Sequence, residues 1–238
     1  MGNDDRLVGV IGGMGPDATI DFMAKVVEYT PAENDQGHVR LLVDQNPRTP
    51  SRQQALHGKG DSPGPVLAHT AARLQLSGAE FLVMPCNTAH AWQDKIVAAT
   101  TIPFISIVDE SVAKAVASAD GAIGLLTTPG CFAAGLYQQA VAEAGRELVE
   151  QTEAELAETM QLIDRIKAGD KSEAVADALQ TLALQLVDRG ATAIIAACTE
   201  LPLVLEQSMV SVPLIGSTDA LAEKTVALAL GQEPLPEE

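Results

Sequence analysis

Two cysteines, Cys86 and Cys198, stand in matching surroundings in the two halves of a 238-residue chain. Cys86 follows Phe81-Leu82-Val83-Met84-Pro85 and precedes Asn87-Thr88-Ala89-His90; Cys198 follows Ala193-Ile194-Ile195-Ala196-Ala197 and precedes Thr199-Glu200-Leu201-Pro202. A Gly-Ala pair opens each stretch, at Gly78-Ala79 and Gly190-Ala191. A free thiol has a pKa of about 8.5, near enough to neutrality to give up a proton or, once ionised, to take one. A lone cysteine at a strand end is more often a small buried hydrophobe. Two at equivalent places of a repeated unit, each followed by hydroxyl and amide groups, point instead to thiols facing one site from opposite sides. Cys131 has no counterpart in the first half and reads as structural.

The duplication extends along the chain. Leu7-Val8-Gly9-Val10-Ile11-Gly12-Gly13 answers to Ala122-Ile123-Gly124-Leu125-Leu126-Thr127-Thr128, and Ile102-Pro103-Phe104-Ile105-Ser106 to Val212-Pro213-Leu214-Ile215-Gly216. Gly124 lies 115 positions beyond Gly9, Cys198 112 beyond Cys86 and Pro213 110 beyond Pro103. A slowly drifting offset is what two diverged copies with small insertions give.

The elements that must position the thiols follow from patterning. Continuous apolar runs at 7–11, 39–43, 81–84, 104–108, 122–126 and 193–197 read as strands buried on both faces. Helical patterns occupy 17–29, 65–76, 130–143, 153–166 and 173–189, with Asp17 and Ser172 as N-cap candidates and Gly145, Gly169 and Gly190 as stops. Further Ala-rich helices are expected at 109–116 and 219–226. Alternating strands and helices predict an α/β fold with a parallel sheet in each half. The expected architecture is two similar parallel-sheet lobes related by pseudo-twofold symmetry, with the active site in the cleft between them. Residues 1–115 form the first lobe and 116–212 the second; 213–238, which match 102–116 and could complete either lobe, are expected to return to the first. The stretch 46–64, rich in Pro, Arg, Gln and Gly, reads as a long functional loop, and the acidic tail from Gly231 is expected to fray. In parallel sheets ligands bind beyond the carboxyl ends of the strands, and both cysteines fall there.

Composition narrows the partners. Hydrophobic residues make up 47% and aromatics only 3%, which describes an aliphatic layered interior. A formal net charge of −17 argues against general binding to nucleic acid or an anionic membrane, and it requires local cations wherever an acidic substrate binds. The sequence has no apolar span of transmembrane length, and Met1-Gly2-Asn3-Asp4-Asp5 lacks signal-peptide character. Three cysteines do not make a disulfide framework, so a reducing cytoplasm is the expected location.

Pro85-Cys86-Asn87-Thr88-Ala89-His90 and Ala197-Cys198-Thr199-Glu200-Leu201-Pro202 resemble the paired signatures of the aspartate/glutamate racemase superfamily. Gly9-Val10-Ile11-Gly12-Gly13-Met14-Gly15-Pro16-Asp17-Ala18-Thr19 resembles that family's opening, and Asn46-Pro47-Arg48-Thr49-Pro50-Ser51-Arg52 its Asn-Pro-x-x-Pro-x-Arg loop. Four ordered motifs over nearly the whole chain resemble the aspartate racemases most, because Glu200 and Leu201 stand where glutamate racemases usually carry His and Tyr. The resemblance implies a cofactor-independent enzyme, usually homodimeric, interconverting L- and D-aspartate with two cysteines.

Inverting an α-carbon removes a weakly acidic proton from one face and returns one to the other, which a base and an acid on opposite faces do in one pass. Cys86 and Cys198 are therefore the expected catalytic pair. The substrate-binding set is Met14, Asn46, Arg52, Asn87, Thr88, Thr128, Lys167, Thr199 and Glu200, with no cofactor and no metal. Asn87, Thr88, Thr128, Thr199 and first-turn amides suit the α-carboxylate, where charge accumulates as the carbanion forms. Arg52 suits a side-chain carboxylate, since a guanidinium binds one in a bidentate manner. For Arg52, Arg48 and Lys167 the alternative is a solvated surface cation; His90 and Glu200 either tune the thiols and orient substrate or are ordinary first-turn residues. The segment Gly13-Met14-Gly15-Pro16-Asp17-Ala18 also fits a dinucleotide fingerprint, with Asp44 as ribose partner, but leaves the paired cysteines unexplained. A hydantoin racemase, a maleate-isomerase-like enzyme and a non-catalytic small-acid-binding protein are the competing readings.

Overall fold

In the computed structural model, which describes residues 5–236, strand and helix alternate from the start. The opening residues 1–4, on which the signal-peptide reading fell, lie outside the described part. Strand β1 (Val8–Gly12) leads through helix α1 (Pro16–Tyr29) to β2 (Leu41–Gln45). Helices α2 (Arg52–Leu56) and α3 (Gly64–Leu76) precede β3 (Phe81–Val83), and α4 (Gln93–Val97) precedes β4 (Phe104–Ile105). After α5 (Ile107–Ser118) come β5 (Ala122–Thr127), α6 (Pro129–Ala133), α7 (Leu136–Glu143) and β6 (Leu148–Val149). The chain closes with α8 (Glu153–Lys167), α9 (Glu173–Asp188), β7 (Ala191–Ala197), β8 (Leu214–Gly216) and α10 (Ser217–Ala229).

The strands form two four-stranded sheets, ordered β2-β1-β3-β4 and β6-β5-β7-β8, and every neighbouring pair is parallel. The same order twice is the structural form of the sequence repeat. Two compact units result: one runs up to Ile107 and resumes at Leu221, the other spans Val108–Ala220. The strand at 213 does not return to the first unit as expected. β8 pairs with β7 (Ile194 beside Leu214), so it completes the second sheet, and the return comes later, within α10.

Each sheet depends on a bare spot in its central strand. Gly9 stands in register with Leu82, and Gly124 with Ile194. A Cβ on Gly9 would lie 2.6 Å from Leu82 Cδ2, 2.9 Å from Ala79 Cβ and 3.2 Å from Leu74 Cβ of α3. A Cβ on Gly124 would lie 3.0 Å from Ala191 Cβ, 3.1 Å from Leu186 Cβ of α9 and 3.2 Å from Ile194 Cγ1. In both units the missing side chain lets a helix leucine and the next strand close on the central strand. The cysteine of each unit lies four positions beyond that register partner.

Local departures from the expected elements have simple causes. The apolar run at 39–43 gives a strand displaced to Leu41–Gln45 and half-exposed, because β2 is a sheet edge. The run at 104–108 gives only two strand residues before α5 begins at Ile107. The helical pattern at 130–143 is broken in two by Gly135, whose φ of 71° is left-handed. Asp17 lies in the first turn of α1, where Gly15 is the N-cap. The tail is tied down as far as Glu233: Gln232 N–H donates to Ala227 O at 2.9 Å and Lys224 pairs with Glu233. α8 starts on a reciprocal cap, Glu155 N–H donating to Thr152 Oγ1 (3.3 Å) and Thr152 N–H to Glu155 Oε2 (2.7 Å). Arg189, just past α9, grips both oxygens of the same Glu155 at 2.7 and 2.8 Å and holds its carboxyl below the usual range.

Gly9→Ala should overpack the first unit and lower its unfolding free energy by about 1–3 kcal/mol. Urea denaturation of the variant against the parent checks this, and an unchanged midpoint would show that the close approach relaxes freely.

Candidate active site

In the first unit, the segment from Phe81 to His90 is buried throughout. Cys86 (5% exposed) packs in one apolar cluster with Met14, Leu67, Leu82, Met84 and Ala89. Its N–H donates back to Met84 O at 2.8 Å, so the chain turns sharply as it leaves β3. A single 3₁₀ stretch, Thr88–Trp92, follows rather than an α-helix. The first-turn amides expected there are those of a short 3₁₀ turn. His90 bolts this turn to the start of α5: its Nε2 accepts from Ile107 N–H at 3.1 Å, and its Nδ1 lies 2.9 Å from Cys86 O. An accepting Nε2 leaves the proton on Nδ1, so the ring is neutral and donates to the cysteine's carbonyl. Complete burial lowers its pKa to about 4. His90 thus fixes the Cys86 backbone through its carbonyl.

The other strand ends of this unit are drawn together by backbone contacts. Gly13 (φ 90°) donates its N–H to Thr19 Oγ1 at 2.9 Å, and a Cβ there would lie 2.4 Å from the Asn46 carbonyl carbon. Asn46 donates its N–H to Gly12 O and accepts from Arg48 N–H at 3.1 Å, so its side chain shapes the loop turn. The expected long loop contains α2, capped by Ser51 and packed against the 3₁₀ turn after Cys86. Arg52 opens α2, and its Nη1 is held by Pro50 O (3.1 Å) and Thr49 O (3.4 Å). Arg48 points outward from the same loop. Asp44 pairs with Arg73 at 3.6 Å, which already occupies the carboxylate a ribose would need.

The second unit builds its strand ends from side chains. Thr127 donates its N–H to Gln151 Oε1 (2.8 Å) and its Oγ1 to Ala197 O (3.2 Å), tying the end of β5 to the residue before Cys198. Gln151 in turn donates to Thr159 Oγ1 of α8 at 2.6 Å. Thr128 caps α6 through Cys131 N–H at 3.2 Å, and Cys131 is buried in the first turn of that helix. Cys198 (7% exposed) donates its Sγ–H to Glu200 Oε2 at 3.0 Å, and Lys167 Nζ, at the end of α8, lies 3.8 Å from Glu200 Oε1. Burial, and then the Glu200 charge, push the Cys198 thiol well above its ordinary value, while Lys167 pulls the other way. Thr199 is buried beside them.

Met14, Asn46, Asn87 and Thr88 therefore lie on the strand ends and turns of the Cys86 unit with Arg52 at the start of α2, and Thr128, Thr199 and Glu200 on those of the Cys198 unit with Lys167 at the end of α8. A residue missed from the sequence is Tyr137 of α7. It is fully buried, shares a hydrogen bond with Ser111, and has Cys131 and Cys198 in its electrostatic surroundings; burial raises its pKa well above normal. Only its place in an apolar helical pattern marks it in the sequence, and that pattern signals core. Gln151 is the other omission, an amide just ahead of a helix cap with no periodicity to announce it.

A model of the Asp/Glu/Hydantoin racemase family matches residues 11–225, and thus both strand-end systems. The chain belongs to this family. It is an amino-acid racemase, an isomerase. Over 231 residues it is 29% identical to the broad specificity amino-acid racemase RacX of Bacillus subtilis, covering 95% of this racemase and 100% of that protein. The Picrophilus torridus aspartate racemase superposes with a TM-score of 0.85 at 27% identity, over 97% of this chain and 96% of that one. A glutamate racemase from Francisella tularensis shares the fold at a TM-score of 0.66 and 19% identity, over 96% and 82% of the two chains. Among the described residues no helix is long and apolar enough to cross a membrane.

Because His90 is neutral when folded (pKa about 4) and free to charge when unfolded (about 6.5), the unfolded chain binds the extra proton between these values. The stabilisation is complete above pH 6.5 and is lost as pH falls toward 4, amounting to about 2 kcal/mol by pH 5. Urea titrations at pH 8 and pH 5 should show this loss in the parent and a smaller one in His90→Gln. Equal losses in both proteins would remove His90 from the acid response.

Proposed function

We propose that this racemase interconverts L- and D-aspartate without a cofactor, and that Cys86 and Cys198 exchange the α-proton. The observation that carries the reading is the equivalence of the two thiols. Each follows the third strand of an identically ordered sheet, four residues beyond the partner of a bare glycine, in a family of racemases. One sulfur, as thiolate, takes the α-proton; the C–H electron pair is held as the carbanion; the other thiol donates its proton to the opposite face. For the reverse enantiomer the roles exchange. Asn87, Thr88, Thr128 and Thr199 would hold the α-carboxylate, where negative charge grows during proton removal.

The preference for a dicarboxylic substrate rests on Arg52. Both of its loop hydrogen bonds use Nη1, which orients the guanidinium while leaving the rest of its fork for a carboxylate. In a chain of net charge −17 such a local cation is needed to retain an acidic substrate. The Picrophilus torridus aspartate racemase supports this choice, and the Bacillus subtilis relative supports a wider substrate range. Cytoplasmic location and a homodimer complete the reading; the three free cysteines suit a reducing compartment.

Proton NMR of L-aspartate in D₂O with reduced enzyme should show the α-proton signal disappear as the D-enantiomer forms. Cys86→Ala and Cys198→Ala should each stay folded and lose racemisation by a factor on the order of 10³ or more. Near-parental turnover in either variant would falsify the two-thiol reaction. Arg52→Ala should depress turnover of aspartate at least tenfold more than turnover of alanine, an effect on the order of one charge-assisted hydrogen bond. Equal losses on both substrates would remove Arg52 as the side-chain clamp.

A further inference from the structure

Glu200 shows features that substrate binding does not explain. Its carboxylate is buried (3% exposed), one oxygen accepts the Cys198 thiol, and the other, Oε1, receives no hydrogen bond and faces Lys167 Nζ at 3.8 Å. A buried carboxylate is costly to keep unless its charge is used or balanced. Here it is balanced only loosely, by a lysine side chain that is 40% exposed. The Glu200 backbone N–H also bonds to the sulfur. Every group in this arrangement belongs to the second unit.

We propose that Glu200 is a positioning residue acting through Cys198: it holds the thiol proton in place and accepts it when the sulfur must become a base, with Lys167 supplying the counter-charge. The inference deepens the two-thiol reading and rests on it. In the direction where Cys198 is the base, its S–H bond breaks and an O–H bond forms on Glu200 Oε2. The freed sulfur pair then takes the α-proton, the C–H pair remains on the carbanion, and the opposite thiol donates its proton there. The reset is a proton released by Glu200 to water and one taken from water by the other sulfur. In the opposite direction Cys198 starts as the donor, which its hydrogen bond to Glu200 already orients. The raised Cys198 thiol fits that resting state. The groups bearing on its titration are Glu200 after β7, Lys167 from α8 and Tyr137 from α7, with Cys131 and Asp109 acting on Tyr137.

The test reads two things on the full chain. The first is the pH dependence of iodoacetamide labelling at Cys198, followed by mass spectrometry of its peptide without substrate. The second is kcat and KM for aspartate across the same pH range. Glu200→Gln should lower the labelling midpoint of Cys198, because a repelling charge is gone, and yet reduce kcat by about a hundredfold. Lys167→Gln, at a half-exposed position, should move the midpoint the other way. Glu200→Asp should recover part of kcat. Unmoved midpoints in both variants, or an undiminished kcat in Glu200→Gln, would overturn the proposal, as would a rise in KM with kcat unchanged. Labelling needs no substrate, so it still decides the Cys198–Glu200 coupling if the parent enzyme racemises no amino acid, a result that would count against the proposed function alone.

Discussion

Everything at the strand ends depends on how closely a helix and a neighbouring strand can press on the central strand of each sheet. Gly9 and Gly124 make that possible by offering backbone where any other residue would offer a Cβ within 2.6–3.2 Å of packed carbons. The side chains that fill the space include the residues paired in register, Leu82 and Ile194. Packing and hydrogen-bond register therefore agree at one point in each unit. From that point the third strand runs its short remaining length and releases a cysteine. A slip of register would turn the sulfur to another face.

The two units reach the same placement with different local chemistry. Around Cys86 the strand ends are joined mainly through backbone: glycine N–H groups, the Asn46 turn, and a neutral histidine bridging Cys86 O and Ile107 N–H. Around Cys198 they are joined through side chains, with Thr127, Gln151 and Thr159 in a chain and Glu200 beside the sulfur. Duplication conserved the strand order while each copy acquired its own way of closing the ends. The proposed two-thiol reaction, with a proton-transferring group for each face of the substrate, gains from that. Identical folds supply equivalent placement, and unlike surroundings allow the two thiols to rest in different states.

Several buried polar groups at these ends are satisfied inside their own unit, among them Thr19, His90, Thr127, Gln151 and Thr159. That satisfaction makes the strand ends rigid, since each hydroxyl or amide that loses its partner would stand unpaired away from water. Glu200 Oε1 is a departure beside the Cys198 sulfur. In the proposed role, this loosely balanced carboxylate stands within reach of the Cys198 proton.

The sequence by itself determined the duplication, the α/β class and the identity of the paired thiols. Apolar runs, Gly-Ala openings and drifting offsets are local signals written in consecutive residues, and parallel sheets place such runs where both faces are buried. It also marked Arg52 and Glu200 by motif. Only the tertiary structure decided which sheet receives the strand at Leu214–Gly216, because pairing there joins Ile194 to Leu214 and Ile195 to Ile215, residues far apart in the chain. Sequence also left β6 unmarked, since two residues at a sheet edge carry no periodicity. Tertiary structure likewise assigned His90 to the Cys86 backbone, turned the expected helix starts after both cysteines into single 3₁₀ turns, and brought Lys167 to Glu200 from another helix. Those outcomes hang on distances between elements, and residue type and spacing do not encode such distances until the core has closed.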